Sequence, residues 1–463
     1  MKLKKVFSLL FLGLSLTAIA QEAPKYVFYF IGDGMGLSHV MATETYNRTV
    51  LGNDQSLLMM RFPVASWAMT YSATGPITDS AAAGTALATG YKTLNGMLGV
   101  TPDTTAVTSI AAQLHAAGYG VGLLTTVAPD DATPGAFYAH QPSRTMKYEI
   151  GLDAAASGYE FIAGSRLYGG KKNGKETDLF KVLADSNVSV VYGIDELPKA
   201  DSRRVILLNK PQFESSNVGY TIDSIPGTLT LSEMTKAALS HLQKTSPDRF
   251  FMMVEGGNID YAGHSNDGGA VIKEVLNFDE TLAIAYDFYL AHPDETLIVV
   301  TADHNTGGLN IGFPASGYSG WLKNIDYQRI SKDSFADLCK TMLNTRRIYT
   351  WDDMKDLLSE KLGFWSKINI QEKDETLLQE KFDVTFNQRS GKDEKTLYKD
   401  FNEFTVAVFK VLDNATGIKW TSTGHAGNPV PLFAVGVGAD NFKAVHNNID
   451  IPNTIRRITG IIK

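Results

Sequence analysis

Short apolar runs recur along the chain, and each is followed by a glycine-rich or polar turn and then by a stretch of helical composition. The runs lie at residues 25–36, 119–127, 188–193, 203–209, 249–257, 296–304 and 431–439. Nearly continuous apolar strands that alternate with helices are typical of a mainly parallel sheet that is covered on both faces. We therefore predict an α/β fold built on a large, mainly parallel sheet with helices on both faces.

The segment from about residue 340 to 420 has a different pattern, because charged residues are interleaved with helix-forming ones. It contains the runs "TWDDMKDLLSEKLGFW", "KDETLLQEKF" and "KDEKTLYKDFNEFTVAVFKVL". Charge runs of this kind are usually the solvated faces of helices. We predict a charged helical cap inserted into a single domain, after which the chain returns to the sheet.

Ionisable residues stand at the carboxyl ends of three predicted strands. Asp33 lies in the turn "GDGMG", Glu255 precedes two glycines, and Asp303 and His304 are adjacent in "TADHNTGG". One Asp in a turn is more often a helix cap than a ligand. In a sheet of this kind, however, ligands bind outside the carboxyl ends of the strands. The coincidence of four such residues therefore predicts a binding site at this edge.

Three further residues have the chemistry of metal ligands. Asp260 and His264 are four residues apart in "MVEGGNIDYAGH", so a helix would place both on one face, and His425 stands in the turn "STGHAGNPVP". Any one of the histidines could equally be a packing or capping residue. Together with the strand-end residues they form a mixed His and Asp set, which suits zinc in open catalytic sites. Seven ligands are too many for one ion, so we expect two ions about 4 Å apart, an arrangement suited to phosphoryl transfer.

The stretch "ITDSAAAGTALATGYKTLNG", residues 77–96, places one acid and one hydroxyl before a run of very small side chains. Asp79 and Ser80 begin a predicted helix that runs to about Thr89. The first turn of a helix favours negative charge, and therefore both a serine alkoxide and a phosphate. Alone, this pair would be an ordinary N-cap. Beside the metal ligands, Ser80 becomes the candidate nucleophile, and the alanines and Gly84 allow close packing beneath the metals.

The stretch "DDATPGAFYAHQPSR" supplies the remaining candidates. Thr133, with Glu255 and Asp33, forms an oxygen-only set that suits Mg²⁺. Arg144 offers a planar fork for two phosphate oxygens. Three divalent ions bring six positive charges, and the four carboxylates bring four negative ones. The surplus, together with Arg144, suits a dianionic phosphate monoester better than a monoanionic diester.

These motifs, in this order, resemble the alkaline phosphatase family. The resemblance runs along the whole mature chain and rests on "GDGMG", "TDSAAAGTALATGYKTLNGMLGV", "DATP", "EGGNID", "TADHNTGG" and "GHAG". It implies that Ser80 is transiently phosphorylated and that Arg144 grips the phosphate. The implied ligand sets are Asp33, Asp303 and His304 for one zinc, Asp260, His264 and His425 for a second zinc, and Asp33, Thr133 and Glu255 for one magnesium, with Asp131 supporting its waters. The resemblance also implies that the second zinc activates the hydrolytic water and steadies the leaving group.

One position departs from the pattern of the family. Directly after Asp260, where relatives commonly carry lysine, histidine or tryptophan, this chain has Tyr261. Tyrosine donates a hydrogen bond but supplies no positive charge to the phosphate. The substitution bears on how tightly the third site binds its metal ion and how tightly the protein binds product phosphate. It does not involve the nucleophile or either zinc set.

The first twenty residues have the features of a signal peptide. Three lysines precede an apolar run, and Ala18-Ile19-Ala20 is a small-residue cleavage site. The apolar run is short for a retained membrane anchor, which is the alternative. Cleavage after about Ala20 would leave residues 21–463 as a periplasmic or secreted domain and change the formal charge from −7 to −10. Such a chain repels nucleic acid. Cys339 is the only cysteine, which excludes an intrachain disulfide.

The residues count against three alternatives to a phosphomonoesterase. A phosphodiesterase of the same superfamily would lack the oxygen-ligand site and the phosphate-binding arginine. The presence of Thr133, Glu255 and Arg144 counts against this alternative. A sulfatase would need a Cys or Ser before x-Pro-x-Arg, whereas Ser80 precedes Ala-Ala-Ala-Gly. A non-catalytic phosphate- or metal-binding protein would lack the nucleophile or a ligand. Family resemblance further suggests a homodimer, although no self-complementary surface can be identified in the sequence.

Overall fold

The computed structural model of the chain describes residues 23–213, 215–312 and 321–461. A nine-stranded sheet forms its centre. In chain order its strands are β1 (Tyr26–Gly32), β2 (Val64–Ala68), β3 (Gly120–Thr125), β4 (Phe161–Gly164), β5 (Val188–Tyr192), β6 (Arg204–Leu208), β7 (Phe250–Glu255), β8 (Thr296–Ala302) and β9 (Val430–Gly436). Each predicted apolar run contributes one strand. The predicted fold, with a large and mainly parallel sheet, is therefore confirmed.

The strands lie in the order β2-β9-β8-β1-β7-β3-β4-β6-β5. All neighbours are parallel except β8 with β9 and β9 with β2, which are antiparallel. The sequence did not reveal β2 or β4. Strand β2 reads VASWA and alternates between exposed and buried positions, and β4 has only four residues. Short or half-exposed strands lack the continuous apolar run by which the others were recognised.

Helices fill the connections between the strands. They are α1 (Leu37–Thr49), α2 (Ser80–Thr89), α3 (Ile110–Ala116), α4 (Ala132–Gly135), α5 (Lys147–Ala156), α6 (Leu179–Asp185), α7 (Leu231–Thr245), α8 (Asn258–His264), α9 (Gly268–Ala291), α10 (Lys332–Asn344), α11 (Trp351–Leu362), α12 (Glu372–Phe382), α13 (Glu403–Thr416) and α14 (Asp450–Thr459). Side chains alternate between the two faces of a strand, and every residue of β7 and β8 is buried, so both faces of the sheet are covered. Among the described residues, no helix is long and apolar enough to cross a membrane.

The charged segment that begins near residue 340 forms its own small core. Helices α10 to α13 bury a hydrophobic cluster that is separate from the one around the sheet. Phe335, Leu358, Phe382 and Phe404 are among its buried members. Cys339 lies in the same cluster with no exposed surface, and burial raises the pKa of its thiol to about 12. The apolar residues of these helices lie on the face that points into this core, and most of the charged residues lie on the opposite face. This is the pattern of an amphipathic helix.

The register of the central strands brings their carboxyl ends to one edge of the sheet. In β1, Ile31 lies beside Glu255 of β7, and Gly32 lies beside Ala302 of β8. The residues that follow β1 and β8 are Asp33 and Asp303. Adjacent parallel strands that end together therefore place these carboxylates and Glu255 side by side.

Candidate metal centre and nucleophile

The first group of candidate ligands surrounds the imidazole of His304. Its Nε2 atom lies 3.3 Å from Oδ1 of Asp33 and 3.2 Å from Oδ2 of Asp303. All three side chains are buried. The other carboxylate oxygen of Asp303 accepts hydrogen bonds from the backbone N–H groups of Gly34 (3.1 Å) and His304 (2.8 Å). These bonds hold the carboxylate so that Oδ2 faces the imidazole.

The second group consists of Asp260, His264 and His425. Asp260 and His264 lie one turn apart in α8, and Oδ1 of Asp260 is 3.4 Å from Nε2 of His264 and 3.7 Å from Nε2 of His425. The two Nε2 atoms are 3.1 Å apart. His425 reaches this position because residues 425–426 pair with residues 305–306, directly after Asp303 and His304.

Both histidines of this group have their outer ring nitrogen paired with a backbone carbonyl. Nδ1 of His264 lies 2.6 Å from the carbonyl oxygen of Thr423, and Nδ1 of His425 lies 2.7 Å from that of Thr78. A carbonyl only accepts, so each Nδ1 carries the proton and each Nε2 presents a lone pair. This tautomer is the one that ligates a metal through Nε2.

The arrangement of oxygen atoms fits bound cations. Oδ1 of Asp33, Oδ2 of Asp303 and both carboxylate oxygens of Glu255 are buried, and none has a hydrogen-bond partner among the described residues. Burying unpaired carboxylates is costly unless a positive charge compensates them. Burial, with repulsion from neighbouring carboxylates, raises the pKa of Asp33, raises that of Asp303 to about 7 and raises that of Glu255 to about 8. Divalent ions would relieve this repulsion.

Asp260 lies between the two groups. Its carboxylate belongs to the set with His264 and His425 and also to a set with Asp33 and His304, in each of which one ligand atom per residue lies within 4.8 Å of the others. Geometry thus places Asp260 in both groups, whereas the family resemblance assigns it to one zinc. Because the two candidate sites share this carboxylate, they lie next to each other. Phosphoryl transfer by two metal ions requires such adjacent sites.

Ser80 opens α2 beside these ligands. Its Oγ lies 3.0 Å from Nε2 of His304, and the residue is 1% exposed. Asp79 is the N-cap, with its carboxylate accepting from the backbone N–H of Ala82 at 3.0 Å. The helix ends at Thr89 as predicted. Ser80 therefore combines a helix N-terminus with direct contact to a candidate zinc ligand.

The small side chains of α2 have a packing role that the sequence suggested. A Cβ atom added to Gly84 would lie 3.2 Å from Cα of Thr133 and 3.3 Å from Cβ of Ala136, both in the α4 region. A side chain at this position would therefore require the facing helix to shift by a few tenths of an ångström. Thr133 is held in this way with its Oγ1 3.5 Å from Oδ2 of Asp33.

A cluster of cations surrounds Asp131, and the sequence had revealed only part of it. Arg144 donates from Nη2 to Oδ1 of Asp131 and from Nη1 to Oδ2 of Asp79, each at 3.3 Å. Lys147 donates to Oδ1 of Asp131 at 2.8 Å, and the hydroxyl of Tyr261 donates to Oδ2 at 3.3 Å. Burial acts to raise the pKa of Asp131, but the charges of Lys147 and Arg144 outweigh it and hold the pKa well below its usual range.

Lys147 and Tyr398 contact Asp131 and Asp260, and the sequence did not indicate either residue. Lys147 follows Arg144 by three residues, and that spacing was a usable signal. Tyr398 lies in the charged segment, and its hydroxyl donates to Oδ2 of Asp260 at 3.2 Å. A single tyrosine inside a charge-rich segment carries no signal of this kind.

Comparisons with known proteins identify the family of the chain. The model of the alkaline phosphatase family matches residues 24–163 and 158–461. Alkaline phosphatase 4 of Bacillus subtilis (strain 168) is 30% identical over 445 residues, which cover 93% of this chain and 88% of the relative. The crystal structure of the cold-active alkaline phosphatase from the psychrophile Shewanella sp. has a TM-score of 0.78 at 27% identity, covering 94% of this chain and 99% of that one.

A third relative shares the fold at lower identity. A variant of TAB5 alkaline phosphatase, solved with Mg bound in its M3 site, has a TM-score of 0.64 at 22% identity and covers 96% of this chain and 100% of its own. The family match extends over nearly all the described residues, and it confirms the resemblance inferred from the motifs. The chain belongs to the alkaline phosphatase family and is a hydrolase of phosphate monoesters.

Proposed function

We propose that the chain hydrolyses phosphate monoesters through a phosphoserine intermediate on Ser80. The observation that carries the proposal is the position of Ser80 Oγ, which lies in the first turn of α2 and 3.0 Å from Nε2 of His304. The positive end of the helix stabilises both the deprotonated hydroxyl and the phosphate that it attacks. A phosphodiesterase would use the same nucleophile. The substrate-selectivity test below distinguishes that activity from the proposed one.

The reaction has two displacements. Ser80 loses its hydroxyl proton to solvent, Oγ forms a bond to phosphorus, and the ester P–O bond breaks as the alcoholate leaves and takes up a proton. In the second displacement, water loses a proton to solvent and forms a bond to phosphorus, the Oγ–P bond breaks, Oγ of Ser80 takes up a proton, and inorganic phosphate leaves. Arg144 orients the phosphate through its planar fork while Asp79 and Asp131 hold the guanidinium in place.

The buried, unpaired oxygens support a cofactor set of two zinc ions and one magnesium ion. The residues that would hold them are Asp33, Asp303 and His304 for one zinc, Asp260, His264 and His425 for the other, and Asp33, Thr133 and Glu255 for magnesium. When bound, such ions neutralise charge on the phosphoryl group and lower the pKa of water. Lys147 supplies the positive charge at Asp131 that Tyr261 lacks.

Substrate selectivity tests the proposal. The metal-loaded protein should hydrolyse p-nitrophenyl phosphate with a kcat/KM far above that for bis-p-nitrophenyl phosphate at alkaline pH. Arg144→Ala should lower this ratio, because the guanidinium fork interacts most strongly with the dianion. A wild-type ratio near or below one would contradict the monoesterase assignment and would indicate the phosphodiesterase.

We further propose that the protein is exported as a single domain with a cap at about residues 340–420. The segment 1–20 lies outside the described residues, so its role as a signal peptide rests on the sequence alone. Expression of the full chain in a bacterial host, followed by N-terminal sequencing of the exported protein, tests this proposal. The expected first residue is Gln21, and recovery of uncleaved protein in the membrane fraction would contradict it.

We also propose that the protein forms a homodimer through the outer face of the edge strand β2. Trp67 lies in this strand, and Met69 and Tyr71 follow at alternate positions just beyond its end; the three residues are 41%, 43% and 43% exposed. Aligned apolar side chains of this size on a surface are typical of association sites. Sedimentation velocity should show a dimer that Trp67→Glu disrupts and Leu290→Glu, at an exposed leucine elsewhere, does not. A monomeric wild type would contradict the proposal.

A further inference from the structure

Tyr398 brings the charged cap segment into contact with the metal centre. It lies in the turn of a hairpin whose strands, residues 394–395 and 400–401, pair antiparallel. Its hydroxyl donates to Oδ2 of Asp260 at 3.2 Å. Its ring stacks on that of Tyr261, with centroids 3.8 Å apart and an interplanar angle of 22°, and packs edge-on against His264 at 5.2 Å. One side chain of the cap thus touches two candidate ligands of the same zinc.

The hairpin is tied to the first half of α10. Lys399 donates to Oδ2 of Asp337 at 2.7 Å, and Nζ of Lys332 lies 4.4 Å from the ring centroid of Phe401. Nζ of Lys332 also donates to the backbone carbonyl of Ser265 at 2.8 Å. Since Ser265 directly follows the ligand His264, α10 holds both the hairpin and the end of α8. The position of Tyr398 relative to α8 is therefore set by α10, which contacts both the hairpin and the end of α8.

The hydrogen bond from Tyr398 restricts how Asp260 can present its carboxylate. Oδ1 accepts from the hydroxyl of Thr306 and faces Nε2 of His264 and Nε2 of His425. Oδ2 is the oxygen that Tyr398 engages. A carboxylate with each oxygen paired in this way cannot rotate, and bonds of this type orient metal ligands.

We propose that Tyr398 is a positioning residue for the Asp260, His264 and His425 metal set, supplied by the cap. The inference rests on the proposed function, because it requires that this set holds zinc. Tyr398 orients Asp260 through its hydroxyl and restrains His264 through its ring. Loss of the hydroxyl weakens zinc mainly at this set, where Tyr398 contacts both Asp260 and His264. It affects zinc at Asp33, Asp303 and His304 less, because only Asp260 is shared between the two groups.

The rings of the tyrosine pair also border a cavity. Tyr261 and Tyr398 line a space of about 500 Å³, together with Phe213, Tyr220 and Asp333. Their hydroxyls bond to Asp131 and Asp260, so the stacked rings contact both the cavity and the metal centre. Truncating Tyr398 would remove part of the cavity lining and admit water from the cavity to Asp260.

Zinc release measures the proposed role directly. The zinc-loaded wild type, Tyr398→Phe and the control Tyr349→Phe are mixed with the chromophoric chelator 4-(2-pyridylazo)resorcinol, and zinc transfer is followed by absorbance. Tyr349 belongs to the cap and packs beside its core, away from the ligands. Two zinc ions per chain are expected from the wild type. In Tyr398→Phe one of them should leave roughly tenfold or more faster, because losing such a bond usually lowers metal affinity by that factor.

A second variant and a stability measurement separate positioning from folding. The zinc-saturated Tyr398→Phe protein should keep the wild-type Tm, and added zinc should restore its turnover. Tyr398→Ala should accelerate release of the same ion further, because it also removes the stack on Tyr261.

Three results would overturn the inference. Wild-type release kinetics in Tyr398→Phe would exclude a role for the hydroxyl. Equal acceleration of both ions with a lowered Tm would indicate general loosening. A wild type that binds no second zinc would refute the proposed ion set and this inference together, whereas two zinc ions with unchanged kinetics in the variant would refute this inference alone.

Discussion

The hydroxyl oxygen of Ser80 lies 3.0 Å from Nε2 of His304, although 224 residues separate the two in sequence. One stands at the first turn of α2 and the other follows strand β8. The contact places the candidate nucleophile within the ligand cluster. It also makes the role of the serine separable from that of the metal sites.

Replacing Ser80 with alanine should abolish covalent turnover without removing the metals. We expect kcat for p-nitrophenyl phosphate to fall by at least ~10³-fold, since loss of a nucleophile costs that much or more. Acid quenching with ³²P-labelled phosphate should label the wild type and leave the variant unlabelled, with the zinc content of the two proteins equal. Ser232→Ala, which loses only a bond to Thr281, should behave as wild type. A labelled Ser80→Ala protein would refute the assignment.

Metal binding should release protons near neutral pH. In the metal-free protein, burial raises the pKa of Asp303 to about 7 and of Glu255 to about 8, so both carboxyls carry protons below these values. Divalent ions bind the ionised forms, and their apparent affinity should therefore rise with pH up to about 8 and then level off.

Calorimetric titration of the apoprotein in two buffers of different ionisation enthalpy measures this release. On the order of one proton per chain should be displaced at pH 7, and much less at pH 9. Glu255→Gln should reduce the protons released on addition of magnesium. Equal heats in the two buffers at pH 7 would contradict the prediction.

Lys147 should contribute to substrate binding through Asp131. Its ammonium group lies 2.8 Å from the Asp131 carboxylate beside Arg144, and Lys147→Met leaves that carboxylate with one cation fewer. Bonds to charged groups contribute about 1.5–3 kcal/mol, which corresponds to a rise of roughly tenfold or more in KM. Inhibition by inorganic phosphate should weaken in parallel. Lys172→Met, at an exposed ion pair with Glu149, is the matched control, and an equal effect in both would count against a specific role.

The contact between α2 and α4 should tolerate no larger side chain at Gly84. Gly84→Val would force α2 away from the backbone of Thr133, at a cost of about 1–3 kcal/mol. We expect a lower Tm, and a weaker response of activity to magnesium because Thr133 is displaced. Gly75→Val provides the control, since nothing lies within 4 Å of a Cβ at that position. Equal Tm values for both variants would show that the helices can separate freely.

Asp279 should make stability depend on pH in a predictable direction. Its carboxylate accepts from the backbone N–H groups of Leu58 (2.7 Å) and Met59 (2.9 Å), and burial raises its pKa to about 6. Because the unfolded pKa is near 3.9, the stability contributed by this group is fully present below pH 4 and is lost as the pH rises through 6.

The Tm of the wild type, measured relative to that of Asp279→Asn, should therefore fall between pH 4.5 and pH 7 and then stay constant. Differential scanning fluorimetry on both proteins at each pH cancels the contribution of every other titrating group. A difference that is independent of pH would show that the native carboxyl titrates as it does in the unfolded chain.

The architecture was predictable where the sequence pattern is strong. Strands such as β8, a continuous apolar run followed by the ionisable pair Asp303 and His304, were identified with their ends within a few residues. Strands β2 and β4 were missed because five and four residues, with Ala, Ser and Gly among them, form no such run. The ends of α2 were predicted because Asp79 caps one end and Gly90, at φ 75°, caps the other.

Sequence by itself identified the candidate ligands and the candidate nucleophile, because strand ends and helix starts place polar groups by local rules. Only the tertiary structure decided that Asp260 belongs to both ligand groups, that Lys147 pairs with Asp131 and that Tyr398 reaches Asp260 from the cap. Such contacts depend on the register of the sheet and on how an inserted segment folds back over it. They join residues far apart in the chain, and no local periodicity or spacing records them.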